Sequence, residues 1–300
     1  MNIFKLLLSI FLLNLLLFSC NFNSEGEGDT ENVSLQINND IDEENHKKKV
    51  KMIFYNIPSP LEMATILKEI ICDYNTDVLN PYENYNKYTT NKKIALNLGV
   101  YGADLSYSRM FDQMQPSVNY LSSIKKLSDN LGIPQNEGSF TVGRIEENIE
   151  NRDSILNIIS ETFSTADAYL KENGRGSTAT LIIVGGWVEA LYIATHLLDT
   201  NNVNIEIINR IAEQKFSLDN LLELSRSYKD DDGIKEYITQ LEELSEKFSE
   251  IAITYTKGEV TTDEETKTTT IKSQINIDVS HQTIYEIGII VERIRTSIVE

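Results

Sequence analysis

Cysteine, proline and tryptophan are scarce in this chain: 300 residues hold 2, 5 and 1 of them. With so few cysteines no disulfide framework can organise the fold, and Cys72 reads as a small buried residue. No proline follows Pro134, and only 14 glycines are spread over the chain, which argues against a turn-dense β-sandwich and for long helices. Basic residues are also short, with 27 Lys and Arg against 46 Asp and Glu, a net charge of −19. Such a chain is repelled by nucleic acid and by anionic lipid head groups, so neither is an expected partner.

Histidine is rare as well. His46, His196 and His281 are the whole set, and the only Glu-x-x-His, Glu43 to His46, lies in a polar stretch rather than on a bundle helix. No metal and no cofactor is expected. The stretch from Ser122 to Lys125 has the Ser-x-x-Lys spacing but lacks the companion motifs of a serine acyl-enzyme. "GRGSTA", residues 174 to 179, has a dinucleotide-like glycine pattern with Asp199 about twenty residues on, yet a helix precedes it where a strand is required. It reads as a helix stop followed by a helix start. No nucleophile, base and oxyanion set is legible, so an enzyme is not expected.

What is present begins at the N-terminus. Lys5 precedes an apolar run from Leu6 to Phe18 of signal-peptide length, followed by "LFSC". Leu17-Phe18-Ser19-Cys20 resembles the lipobox of bacterial lipoproteins, which implies cleavage before Cys20 and acylation of its thiol. Residues 1–19 are therefore expected as a lipoprotein signal peptide and the membrane is reached through lipid on Cys20. Residues 20–51 carry runs of Asp and Glu and then Lys47, Lys48, Lys49 and Lys51, with too little apolar surface to fold, and are expected as a disordered tether.

About 250 residues remain for a single helical domain, 52–300. Ser59, Pro60 and Glu62 form a capping box opening a helix over 60–73. A polar, Tyr-rich loop follows, then helices over 92–113, 116–131, 139–150 and 153–172. The stretch 177–199 is apolar nearly all round and predicts a buried central helix, with Glu189 and His196 making it a poor membrane span. Amphipathic helices are expected over 203–214, 218–229 and 233–250. Residues 251–280 alternate β-branched residues around an acidic, Thr-rich patch; the reading leans to a loop with extended arms over a two-stranded excursion. Ser280 caps a last helix over 281–298.

Two polar stripes stand out. Gly185, Glu189, Tyr192 and His196 share one face of the central helix, and Asn97, Tyr101, Asp104 and Ser108 share one face of the helix over 92–113. Facing each other, they would enclose a polar pocket, with Asp104, Tyr107, Glu189, Tyr192 and His196 as candidate ligand-binding residues. The alternative is that each stripe is simply its helix's solvated or hydrogen-bonded face. Trp187 points elsewhere and reads as core. The stretches 98–107 and 184–192 echo each other faintly, each placing a glycine near an aromatic and an acid three residues before a tyrosine.

The segments "YNIPSPLEMATILK", "ALNLGVYGADLSY", "ADAYLKENG", "GGWVEALYIATHL" and "NRIAEQKFSLDNL" resemble a family of uncharacterised lipoproteins from Bacteroidetes-type bacteria. That resemblance covers most of the mature chain and implies a helical domain in the bacterial cell envelope, without assigning an activity. The expected architecture is an all-α bundle of eight or nine helices with a possible short β excursion near 251–280. The expected role is a lipid-anchored, non-enzymatic scaffold or module for an envelope protein partner. The competing role is a ligand-binding or sensory domain, with a small-molecule pocket between the helices over 92–113 and 177–199.

Overall fold

The computed structural model describes residues 74–134, 165–198, 204–256, 260–263, 268–271 and 274–300, with isolated positions between 147 and 163. The expected signal peptide, Cys20, the tether, Cys72, the helix over 60–73 and most of 139–164 lie outside the described residues. The chain is an all-α bundle with one β excursion. A 3-10 helix, Tyr82–Lys87, leads into α1 (Asn91–Met110) and α2 (Met114–Asn130). A helical segment at 165–172 precedes α3 (Gly176–His196), which is followed by α4 (Ile205–Arg226) and α5 (Asp232–Ser249). The chain ends with α6 (His281–Val299).

The helix boundaries have local causes. Thr90, Asn204, Asp231 and Ser280 each accept a hydrogen bond from a first-turn backbone N–H, as N-caps do. Gly132 and Gly174 adopt φ of 66° and 70° just past helix ends, where a side chain would be strained. The "GRGSTA" junction is thus a stop and a start. The two helices expected over 203–214 and 218–229 are one, α4, running unbroken from Ile205 to Arg226: Lys215, Phe216 and Ser217 do not break it, and the buried face continues from Ile211 through Leu218 and Leu222.

The leaning toward a loop at 251–280 is corrected. Strands β1 (Ala252–Thr256) and β4 (Gln274–Asp278) pair antiparallel, and β2 (Val260–Asp263) pairs with β3 (Thr268–Ile271). Tyr255 stands opposite Ile275 in β1 and β4, and Val260 opposite Ile271 further out. The register shifts by one residue between the two ladders, because three residues join β1 to β2 and two join β3 to β4. Alternation alone could not select the ribbon over the loop, since the ladder is a non-local pairing. Ile253 and Ile277 anchor it by packing on the helical core.

α3 is the centre of the bundle, with α1, α4, α5 and α6 packed round it. It is the one helix among the described residues long and apolar enough to cross a membrane, and 72% of its apolar window is buried inside the protein. Trp187, at 2% exposure, is core as expected. The tightest contact is between α1 and α3. A Cβ on Gly99 would sit 1.9 Å from the Ile182 carbonyl oxygen, and one on Gly185 would sit 1.9 Å from the Leu96 carbonyl oxygen. The two main chains therefore meet without side chains between them, and the echoing stretches 98–107 and 184–192 lie on these two helices.

Because neither backbone can yield without separating the helices, Gly185→Ala should destabilise the fold by about 2–3 kcal/mol. Gly288→Ala in α6, whose Cβ would meet Thr195 at an ordinary 3.5 Å, should be neutral or stabilise by about 0.5–1 kcal/mol through helix propensity. Urea titrations of both variants check the contrast; equal effects would remove the close approach as the cause.

Candidate functional site

Of the two polar stripes only Asp104 and Glu189 come together, whereas Asn97 turns to the end of α6, Tyr101 to the Pro81 carbonyl and Ser108 to Tyr74. Asn97, Tyr101, Asp104, Ser108 and Glu189 are all fully enclosed, at 0% exposure. Glu189 follows Gly185 by one helical turn, on the face that meets α1, and Asp104 lies close enough for the Glu189 charge to act on it. A third helix then intervenes. Arg295 of α6 reaches Glu189 with two hydrogen bonds, Nε to Oε2 at 3.0 Å and Nη2 to Oε1 at 3.1 Å. Its guanidinium carbon also lies 4.3 Å from the Tyr192 ring centroid, a cation–π contact.

Asp104 completes the cluster. Burial, and then the Glu189 charge, push its carboxyl well above the usual range, with Arg295 offsetting this only in part. Burial pushes Glu189 up too, while the hydrogen bonds and charge of Arg295 pull it back. Neither Asp104 oxygen has a donor in good hydrogen-bond geometry, although the Asn80 main chain approaches. The two carboxyls are within hydrogen-bonding reach of each other, which requires a proton on one of them. The consistent state is a neutral Asp104 donating to an ionised Glu189, itself paired with Arg295.

The remaining candidates divide. Tyr192 joins the cluster through Arg295, and its ring centroid lies 3.9 Å from that of His196. His196 sits at the exposed end of α3, where Nδ1 lies 2.9 Å from the Tyr192 carbonyl oxygen and Nε2 lies 3.8 Å from Glu292. Tyr107 turns to another neighbourhood: it stacks on Tyr74 at 5.4 Å, packs against Phe111 at 4.9 Å, and its hydroxyl accepts from the Asn75 N–H. The structure therefore brings together Asp104, Glu189 and Tyr192, sets His196 at the rim, and separates Tyr107.

Sequence reasoning missed Arg295, Asn80 and Lys93. The amide nitrogen of Asn80 donates to the Tyr88 hydroxyl and to Asn97, while its main-chain carbonyl accepts from Tyr120. Lys93, Asn97 and Tyr88 all donate to last-turn carbonyls of α6, at Ser297, Ile298 and Val299, satisfying acceptors that a helix end leaves open. One signal for Arg295 was legible. It falls four residues after Val291 on a helix whose buried face is Ile284, Ile287, Val291, Ile294 and Ile298, where a cation needs a buried anion.

Chemically, this is a self-contained ion cluster. Arg295 donates twice to Glu189 while both Asp104 oxygens are left without a donor, and among the described residues no group of His, Cys, Asp and Glu could hold a metal ion. The fold and this core define a helical bundle closed on a buried acid pair and an arginine. No family model, curated protein or solved structure matches the chain.

Arg295→Met should cost about 3–5 kcal/mol, because it leaves Glu189 charged and unpaired in the interior. Adding Glu189→Gln should recover most of that loss, and thermal unfolding of the single and double variants measures the coupling. Asp104 gives a pH signature. Its folded pKa lies above its unfolded one, so the folded state holds the extra proton and stability declines as pH rises above about 4. Asp104→Asn, neutral throughout, loses that decline. Its melting temperature relative to the parent should climb between about pH 4 and pH 7, whereas a constant difference would place the proton elsewhere.

Proposed function

We propose that the chain is a lipid-anchored protein of the bacterial cell envelope whose helical domain acts as a non-enzymatic scaffold or partner-binding module. The observation that carries the reading is the state of the interior. Arg295 donates twice to the fully enclosed Glu189, so the central acid of the α3 stripe is engaged in tying α6 to α3. Recognition then belongs to the surface. The β1–β4 ribbon supports this, because Tyr255 and the Ile275 opposite it are 61% and 48% exposed, with the Phe216 ring 6.4 Å from Tyr255. The lipobox at Leu17 to Cys20 supports the anchor, and the net charge of −19 speaks for acyl chains over lipid head-group attraction as the hold on the membrane.

Two measurements in the native host test this. Labelled palmitate should enter the parent chain but not Cys20→Ser, which should leave the membrane fraction. A photo-crosslinking residue at position 255 should yield a discrete protein adduct, whereas one at the equally exposed position 285 of α6 should not. An unlabelled parent would remove the lipid anchor, and the absence of any adduct from 255 would remove the partner-binding reading.

A further inference from the structure

The Tyr- and Asn-rich loop meets the buried network through Asn80, Pro81, Tyr82 and Tyr88, and its Tyr85, Asn86 and Thr89 form one wall of a solvent-open cleft of about 400 Å³. Tyr85, Asn86 and Thr89 come from the 3-10 helix and the residues after it, Asn91 from the first residue of α1, and Asn130 from the last of α2. Tyr88 and Ile94, each 4% exposed, are its buried members. The Tyr88 hydroxyl is already used, accepting from Asn80 at 2.9 Å and donating to the Val299 carbonyl at 3.2 Å, so only its ring is left to contribute. Lys126 holds the Tyr85 ring in place, with Nζ 2.8 Å from the hydroxyl and 4.1 Å from the ring centroid.

The chemistry of the wall is selective. Among the described residues that line the cleft none is charged, although charged residues make up 24% of the chain. The side chains of Thr89, Asn91 and Asn130 make no hydrogen bond within the described protein, and the Asn86 amide has a long 3.5 Å contact with the Glu83 carbonyl and lies against the Tyr85 hydroxyl. An anionic ligand would call for a cation here, an amine for a carboxylate, and an apolar ligand for aliphatic walls. Uncommitted amides and a hydroxyl, offering donors and acceptors together beside a tyrosine ring, suit a neutral polyhydroxylated molecule with an apolar ring face. The volume lies at the lower end of ligand clefts, about 300–1,000 Å³. We infer that this cleft binds a neutral saccharide of mono- or disaccharide size. The site is separate from the buried ion cluster and does not depend on the partner-binding surface.

The test uses the full chain in a detergent without a sugar headgroup. Methyl glucoside, methyl galactoside, methyl N-acetylglucosaminide, maltose and cellobiose are each examined by saturation-transfer NMR. At least one should receive saturation with a Kd of about 1 mM or tighter. Asn91→Ala combined with Asn130→Ala should weaken it roughly tenfold with helicity and melting temperature unchanged, since both side chains are exposed and free of internal hydrogen bonds. Asp104→Asn should leave the affinity as it is. Silence from every sugar at about 10 mM in the parent chain alone would overturn the inference, as would tighter binding of glucuronate than of glucoside, or undiminished binding by the folded double variant.

Discussion

Where α1 crosses α3, main chain meets main chain, and much else follows from that contact. The missing side chains of Gly99 and Gly185 let the Ile182 and Leu96 carbonyls approach to a distance no Cβ would allow. Such an approach increases dispersion contact along both helices and leaves no room for water. It also brings together polar groups carried further along the two helices. Asp104 and Glu189 are those groups, and in a dry interface they cannot both be ionised without a counter-charge. Arg295 is that counter-charge, and its position on α6 draws the last helix onto the pair.

The ion cluster is better understood as a device for register than as a source of net stability. Taking two charges out of water offsets most of what their attraction returns, so a well-packed apolar trio could hold the bundle about as firmly. An apolar trio, however, tolerates sliding. A bidentate guanidinium does not, and the same is true at the end of α6, where Lys93, Asn97 and Tyr88 hold consecutive carbonyls. Two sets of directional bonds, at Arg295 and at Ser297 to Val299, fix both the rotation and the axial position of α6 against α1 and α3.

With its interior committed in this way, the protein has its surfaces left for recognition. Two of them differ in kind. The β ribbon is anchored at Ile253 and Ile277 but carries Tyr255 and Ile275 on the same face beyond the core, an arrangement a two-stranded ribbon does not need for its own packing. The cleft beside α1 and α2 is walled by neutral amides and tyrosine. On the readings proposed above, the first meets a protein and the second a sugar, while the half-buried Arg295 ties α6 to α3 beneath them.

Local chemistry was legible throughout. The residue order alone determined the helical class, the caps at Ser280 and Gly174, and the buried character of α3, because these depend on spacing and on residues within a few positions of one another. It also placed Asp104 and Glu189 on matching faces. The one-piece α4 and the β ribbon were less legible, since continuity through Lys215 to Ser217 and pairing across Tyr255 and Ile275 depend on what each segment packs against. What only the tertiary structure decided was the meaning of the acid stripes. A facing pair of carboxyls can line a pocket or hold a salt bridge, and the choice rests on Arg295, 106 residues from Glu189 along the chain and beside it in space. No local rule joins residues so far apart; the packing of α6 against α1 and α3 does so, by bringing the guanidinium to an acid that the protein fully encloses.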